Sequence, residues 1–238
     1  MNDTVIIIPA RMASSRLKDK VLLPIGGASL LEQVWRRASK VPNCDVFVAT
    51  DHESIIEAVN NFGGKAIRTS TTCPSGSDRV AQAIQTLPES YQFIINLQGD
   101  LPFIDPEEIP LVLTPLSQGY DVGTLITCMP AEKQRNPSFV KAVVSPDGKS
   151  SIMRCHWFCR AALPYGHHHL GVYAYTRDAL RAYAQAQQHP LEQQESLEQL
   201  RFLTLGYRIG AAMVSSLALE VNTPEDLAVA RQFANTTH

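Results

Sequence analysis

The sequence has no apolar run near the ~20 residues that a membrane helix needs. Its first apolar run, 5–10, stops at Arg11, is too short for the core of a signal peptide and has no basic segment before it. Cysteine is scarce. Cys44, Cys73, Cys128, Cys155 and Cys159 are an odd set without a CxxC pair, which argues against a disulfide framework and a structural zinc site. Together these absences imply a chain of the reducing cytoplasm that does not insert into a membrane. Neither charge sign dominates: 21 Lys and Arg against 23 Asp and Glu leave a net charge of −2. That balance argues against a nucleic-acid partner held by bulk electrostatics, while leaving room for a local basic cluster. Two glycine signatures are missing as well. There is no GxGxxG after the first apolar run, which disfavours a dinucleotide-binding dehydrogenase. Gly26-Gly27-Ala28-Ser29 reads as a tight turn before a helix, not as a GxxxxGK[ST] phosphate loop. No internal repeat, low-complexity tract or long linker divides the chain.

What is present is a chain of 238 residues, 45% hydrophobic and 18% charged, long enough to bury a full core and read as a single domain, 1–238. β-branched apolar segments alternate with helical ones. Residues 4–9, 45–50, 65–69 and 93–97 read as strands. Between them, 30–39 carries Leu31, Val34 and Ala38 on one face, and 53–62 turns Ile55, Ile56 and Val59 inward before Gly63-Gly64 stops it. A third helix is predicted over 78–87. This alternation predicts an α/β fold with a doubly wound, mostly parallel sheet and helices on both faces. The second half is less regular. It reads as strands at 122–128, 139–144 and 207–214, turns at Asn136-Pro137 and Pro146-Asp147-Gly148, and a helix over 191–205. A last helix is predicted over 224–233, with Thr223 as N-cap, Pro224 in the first turn and Asp226 where a capping side chain would lie.

Ligands of such sheets bind at the carboxyl ends of strands, so the residues just after each early strand come first: 10–20, Asp51 and Gln98-Gly99-Asp100. In the first of these, Arg11, Arg16, Lys18 and Lys20 are interleaved with Ala10, Ser14 and Ser15. Guanidinium forks, an ammonium and backbone N–H groups at that position can wrap a triphosphate; a plain solvated basic loop has the same composition. Asp100, directly after a buried strand, suits Mg²⁺, which often takes only one or two carboxylates plus substrate phosphate; it also suits an Asp capping the next helix. Ser75-Gly76-Ser77 opens a helix and offers N–H groups to a ligand, or serves as an ordinary N-cap. The run His167-His168-His169 lies in an extended segment where neighbours alternate faces, so at most two could share an ion; Cys155, His156 and Cys159 read as core and strand residues.

IIIPARMASSRLKDK, VATDHE, PSGSDR, INLQGDLPFI, FCRAALP, HLGVYAY, LEQQESLEQLR and VNTPEDL follow one another along nearly the whole chain. In this order they resemble the 3-deoxy-manno-octulosonate cytidylyltransferases (CMP-Kdo synthetases), enzymes that activate the eight-carbon sugar acid Kdo for lipopolysaccharide inner-core assembly. The resemblance implies a GT-A-like nucleotidyltransferase fold, a small inserted β-rich region that makes a homodimer contact, and Mg²⁺ as cofactor. It implies transfer of CMP from CTP to the anomeric hydroxyl of Kdo, with release of pyrophosphate. Ala10, Arg11, Ser14, Ser15, Arg16 and Lys20 would then line the triphosphate, with Arg16 and Lys20 on the departing pyrophosphate. Ser75, Gly76 and Arg79 would lie on the cytidine side, Gln98 between nucleotide and sugar, and Asp100 on the metal. Arg160 would hold the sugar carboxylate, beside His169 and Tyr173, and Glu195, Glu198 and Gln199 would read hydroxyls. Glu195 and Glu198, three apart on one predicted helix, would share a face.

The chain departs from the family pattern in three places. Asn222 stands where VDTPEDL has a second metal-binding Asp; Leu101 replaces the acidic residue of QGDEP; and the stretch between Pro164 and His169 is short. These departures keep two alternatives in view: activation of a related acid, 8-amino-Kdo or a nonulosonate, and a catalytically silent nucleotide-binding module.

Overall fold

The structure is a computed structural model and describes residues 3–12, 17–148, 151–215 and 219–236. The chain forms two compact units, Met1–Ser90 with Asn96–Ile109 and Ala218–His238, and Tyr91–Ile95 with Pro110–Leu217.

The first unit follows the alternation. Its elements are β1 (Thr4–Ala10), β2 (Pro24–Ile25), β3 (Ala28–Ser29), α1 (Leu30–Ala38), β4 (Asp45–Thr50), α2 (Glu53–Asn61), β5 (Lys65–Arg68) and α3 (Gly76–Ile84), followed by β6 (Phe93–Leu97). β4 pairs parallel to β1 and to β5, in the order β5-β4-β1. Val5, Ile6, Ile7 and Ile8 are fully buried, as a strand covered on both faces requires. Caps set the helix starts: Ser29 accepts from Glu32 N, and Ser75 accepts from Asp78 N. The predicted tight turn is the two-residue bend of a β2–β3 hairpin, with Gly26 at φ 57° and Gly27 at φ 81°, where a side chain would be strained.

The second unit adds α4 (Thr114–Ser117), β7 (Val122–Thr127), β8 (Lys141–Pro146), β9 (Met153–Cys159), β10 (His167–Thr176), α5 (Arg177–Gln185), α6 (Pro190–Glu195), α7 (Gln199–Thr204) and β11 (Ile209–Met213). Here the expectation of a mostly parallel sheet fails. β7 and β11 are parallel, but β10–β7, β10–β8, β8–β9 and β9–β11 are antiparallel. Short connections between β8, β9 and β10 leave no room for the crossover that parallel neighbours need. The predicted helix over 191–205 is also two helices. Ser196 takes a left-handed φ of 53° and ends α6. Glu195 is therefore the last residue of α6 and Glu198 the N-cap of α7, so the two do not share a helical face.

The chain returns to the first unit for α8 (Pro224–Thr236). Leu227, Ala230 and Ala234 pack with Ile25, Leu30 and Val221, flanked by Leu17, Leu23, Phe103 and Leu219. This cluster fixes the segment leading into α8, which carries Asn222.

Candidate active site

In the first unit, Lys20, Asp100 and Asn222 meet. Lys20 follows Asp19, itself left-handed at φ 52°, and opens a single 3-10 turn. Its Nζ donates to Asp100 Oδ2 at 3.2 Å and to Asn222 Oδ1 at 3.3 Å. Two neighbouring features hold these oxygens in place. Val221 N donates to the Asp100 carbonyl at 2.9 Å. Asp226 Oδ2 accepts from Asn222 N at 3.0 Å and from Thr223 N at 2.9 Å, while Asp226 N donates to Thr223 Oγ1 at 3.2 Å. The segment NTPED thus closes a reciprocal cap at the start of α8, as its sequence predicts.

A carboxylate oxygen and an amide oxygen already converge on one cation, the Lys20 ammonium. Both are hard donors, and a set this small leaves room for phosphate and water, which is how Mg²⁺ is ordinarily held. Among the described residues no group of three or more His, Cys, Asp or Glu is placed to hold a metal ion. The residues fit a magnesium ion shared with a substrate phosphate. Ser14, Ser15 and Arg16 lie outside the described residues; Ala10 is buried at the end of β1 and Arg11 is exposed.

The residues that the resemblance puts on the nucleotide side divide. Gly76 comes close to Gln98: a Cβ there would sit 3.1 Å from Gln98 Nε2 and 3.4 Å from Pro9 Cγ. Ser75 is the N-cap of α3, its hydroxyl donating to Asp78 Oδ2 at 2.7 Å. Arg79 is buried and committed to its neighbours, Nη1 to Thr69 Oγ1 at 2.6 Å and Nη2 to Asp51 Oδ2 at 3.3 Å. It ties together the ends of β4 and β5. Leu101 is 1% exposed, which gives a physical reason for an apolar residue there: a carboxylate at that place would be desolvated.

In the second unit, β10 carries His169 and Tyr173 across an irregularity in its pairing with β7 between Leu170 and Tyr173. Thr124 Oγ1 donates to the Val172 carbonyl at 2.8 Å, so its 2.9 Å bond to His169 Nε2 is one it accepts. That makes Nε2 a protonated nitrogen of the ring. Burial lowers the His169 pKa to about 3, with the charges of His168 and Arg160 adding to the effect. Native His169 is thus neutral, whereas in the unfolded chain it takes up a proton below about 6.5. Stability is lost as pH falls from 6.5 towards 3. Relative to the parent, His169→Asn should flatten the stability–pH slope between pH ~6 and ~5 by about 1.4 kcal/mol per unit. Chemical denaturation at both pH values measures this, and an unchanged slope would contradict a neutral buried imidazole.

Tyr173 Oη donates to Gln199 Oε1 at 3.1 Å. Gln199 is 2% exposed, yet its Nε2 has no hydrogen-bond partner. A buried amide with two idle donors is costly unless an acceptor reaches it. Arg160 and Glu195 are also brought together: Arg160 N donates to Glu195 Oε2 and Nε to the Glu195 carbonyl, both at 3.1 Å. Nη1 of Arg160 reaches the Pro137 carbonyl at 3.2 Å. Lys141, absent from the sequence expectations, is fully buried and donates to the carbonyls of Asn136 at 2.8 Å and Arg160 at 3.2 Å. Burial, with Arg160 nearby, lowers its pKa. A lone lysine inside the apolar run KAVV was the available signal. Thr124, which sets the His169 tautomer, gave none.

The first unit, with its parallel strands and alternating helices, has a nucleotidyltransferase-type fold. A nucleotidyl transferase from Methanothermobacter thermautotrophicus shares it at a TM-score of 0.62 and 16% identity, over 99% of both chains. Residues 5–209 match the cytidylyltransferase family. The chain belongs to that family and, within it, to the 3-deoxy-manno-octulosonate cytidylyltransferases. It is 46% identical to the 3-deoxy-manno-octulosonate cytidylyltransferase of Rhodopseudomonas palustris strain BisB5 over 237 residues, 96% of each chain. A solved CMP:2-keto-3-deoxy-manno-octonic acid synthetase complexed with CTP is 36% identical, with a TM-score of 0.89 over 99% of both chains.

Proposed function

We propose that this chain transfers CMP from CTP to the anomeric hydroxyl of Kdo, releasing pyrophosphate and supplying activated Kdo for lipopolysaccharide assembly. The observation that carries the reading is the meeting of Lys20, Asp100 and Asn222, within a chain of this family. The hydroxyl oxygen attacks the α-phosphorus and gives up its proton to solvent, the bond from that phosphorus to the bridging oxygen breaks, and pyrophosphate leaves with the electron pair. Such a displacement asks mainly for orientation and charge neutralisation. Asp100 and Asn222 would hold Mg²⁺, which when bound neutralises charge on the phosphate oxygens. Lys20 and Arg16 stabilise charge on the departing pyrophosphate. Gly76 lets the start of α3 pass close to Gln98, and Arg79 shapes the nucleotide side through Asp51 and Thr69. On the sugar side, the idle Nε2–H groups of Gln199 face an acceptor of the acid, and Tyr173 orients that amide. Neutral His169 keeps the Tyr173 side of the pocket uncharged. Arg160, braced by Glu195, meets the carboxylate, and Glu198 reads a hydroxyl.

The enzyme works in the cytoplasm, a reading supported by five free cysteines, and as a homodimer through its antiparallel strands. Pyrophosphate release from CTP and Mg²⁺ with Kdo, 8-amino-Kdo and a nonulosonate in parallel tests the function. Release with Kdo is expected. Release with another acid alone would move the specificity to the short stretch 164–169. CTP binding without release from any of the three would leave a silent nucleotide-binding module.

A further inference from the structure

Asn222 differs from an aspartate in one respect that matters here: only one of its two terminal atoms can face a cation. Its Nδ2 donates to Glu220 Oε2 at 3.2 Å, which leaves Oδ1 as the atom turned to Lys20 Nζ at 3.3 Å. The backbone at this point is held separately, by Asp226 on Asn222 N and by the Asp100 carbonyl on Val221 N. What the backbone does not decide is which way the amide points, and Glu220 accepts only from a donor. We propose that Glu220 is a positioning residue for Asn222. It holds the amide in the orientation that presents Oδ1 to the cation site, and it places beside that site the negative charge that residue 222 itself lacks. The inference rests on the reading of Asp100 and Asn222 as the cation-binding pair.

Asn222→Asp sets a carboxylate against Glu220 where a hydrogen bond now stands, which destabilises the protein when no metal is bound.

The test uses the full chain and two readouts: Mn²⁺ binding in the presence of CTP, followed by electron paramagnetic resonance, and thermal unfolding without metal or nucleotide. Glu220→Ala should weaken Mn²⁺ binding about tenfold, as loss of an outer-shell partner commonly does. Without metal, Asn222→Asp should lower Tm by about 2–4 °C, and Glu220→Gln in that background should restore it. Parental Mn²⁺ binding by Glu220→Ala, or additive effects at 220 and 222, would overturn the proposal. Asp100→Ala is run alongside. If it binds Mn²⁺ like the parent, the cation reading falls, and the metal-free cycle alone then decides whether Glu220 orients Asn222: coupling upholds it and additivity removes it.

Discussion

Asp100→Ala is expected to lower the rate of pyrophosphate release by at least about 10²–10³-fold, the range seen when one group stabilising transition-state charge is removed. The substitution deletes the carboxylate that faces Lys20 Nζ at 3.2 Å and leaves Asn222 as the other oxygen of that pair. The fold should survive. The side chains of Lys20 and Asp100 are 16% and 24% exposed, so the ammonium left behind keeps access to water. The Asp100 backbone carbonyl, which receives Val221 N, is untouched. A parental Tm with turnover lost is the expected pair of results. Near-normal turnover would remove Asp100 from the chemistry.

The second large effect lies in the clasp across the α6–α7 break. Arg201 Nε and Nη2 donate to the two oxygens of Glu192 at 2.7 and 2.6 Å, and both residues are buried. The guanidinium also stacks 3.9 Å over the Tyr183 ring and reaches the Tyr183 carbonyl at 3.3 Å. Removing one member leaves a buried charge uncompensated, which costs about 3–5 kcal/mol. Glu192→Ala should therefore lower Tm by about 6–20 °C, at about 2–4 °C per kcal/mol for a chain of this size. Replacing both, as in Glu192→Leu/Arg201→Met, should recover most of the loss, since no charge is then stranded. Thermal unfolding of the three proteins checks this, and a double variant no more stable than Glu192→Ala would mean that the pair itself supplies the stability.

That clasp also explains part of what the sequence hides. The stretch LEQQESLEQLRFL has helical composition throughout, and nothing local marks Ser196 for a left-handed turn. The break is imposed by tertiary contacts: Leu197 and Leu200 are buried and Glu192 folds back onto Arg201. Local signals sufficed where one residue decides one bond. Ser29, Ser75 and Thr223 begin their helices as their side chains dictate, and the isoleucines of β1 are buried as a strand covered on both faces. They failed for β10, which opens on three histidines and whose pairing shifts between Leu170 and Tyr173, and for the antiparallel order around it. Asp100 and Asn222 lie 80 and 202 residues from Lys20, so spacing alone could not join them. Only the resemblance placed them in one site. Glu220 entered neither reading, because its role depends on which way a single amide points.

The central claim is transfer of CMP to the anomeric oxygen of Kdo. The most direct measurement is mass spectrometry of the products formed from CTP and Kdo labelled with ¹⁸O at the anomeric hydroxyl. Attack by that oxygen on the α-phosphorus yields CMP-Kdo that carries the label and pyrophosphate that does not. Turnover of CTP without labelled CMP-Kdo, or label found in the pyrophosphate, would contradict the account.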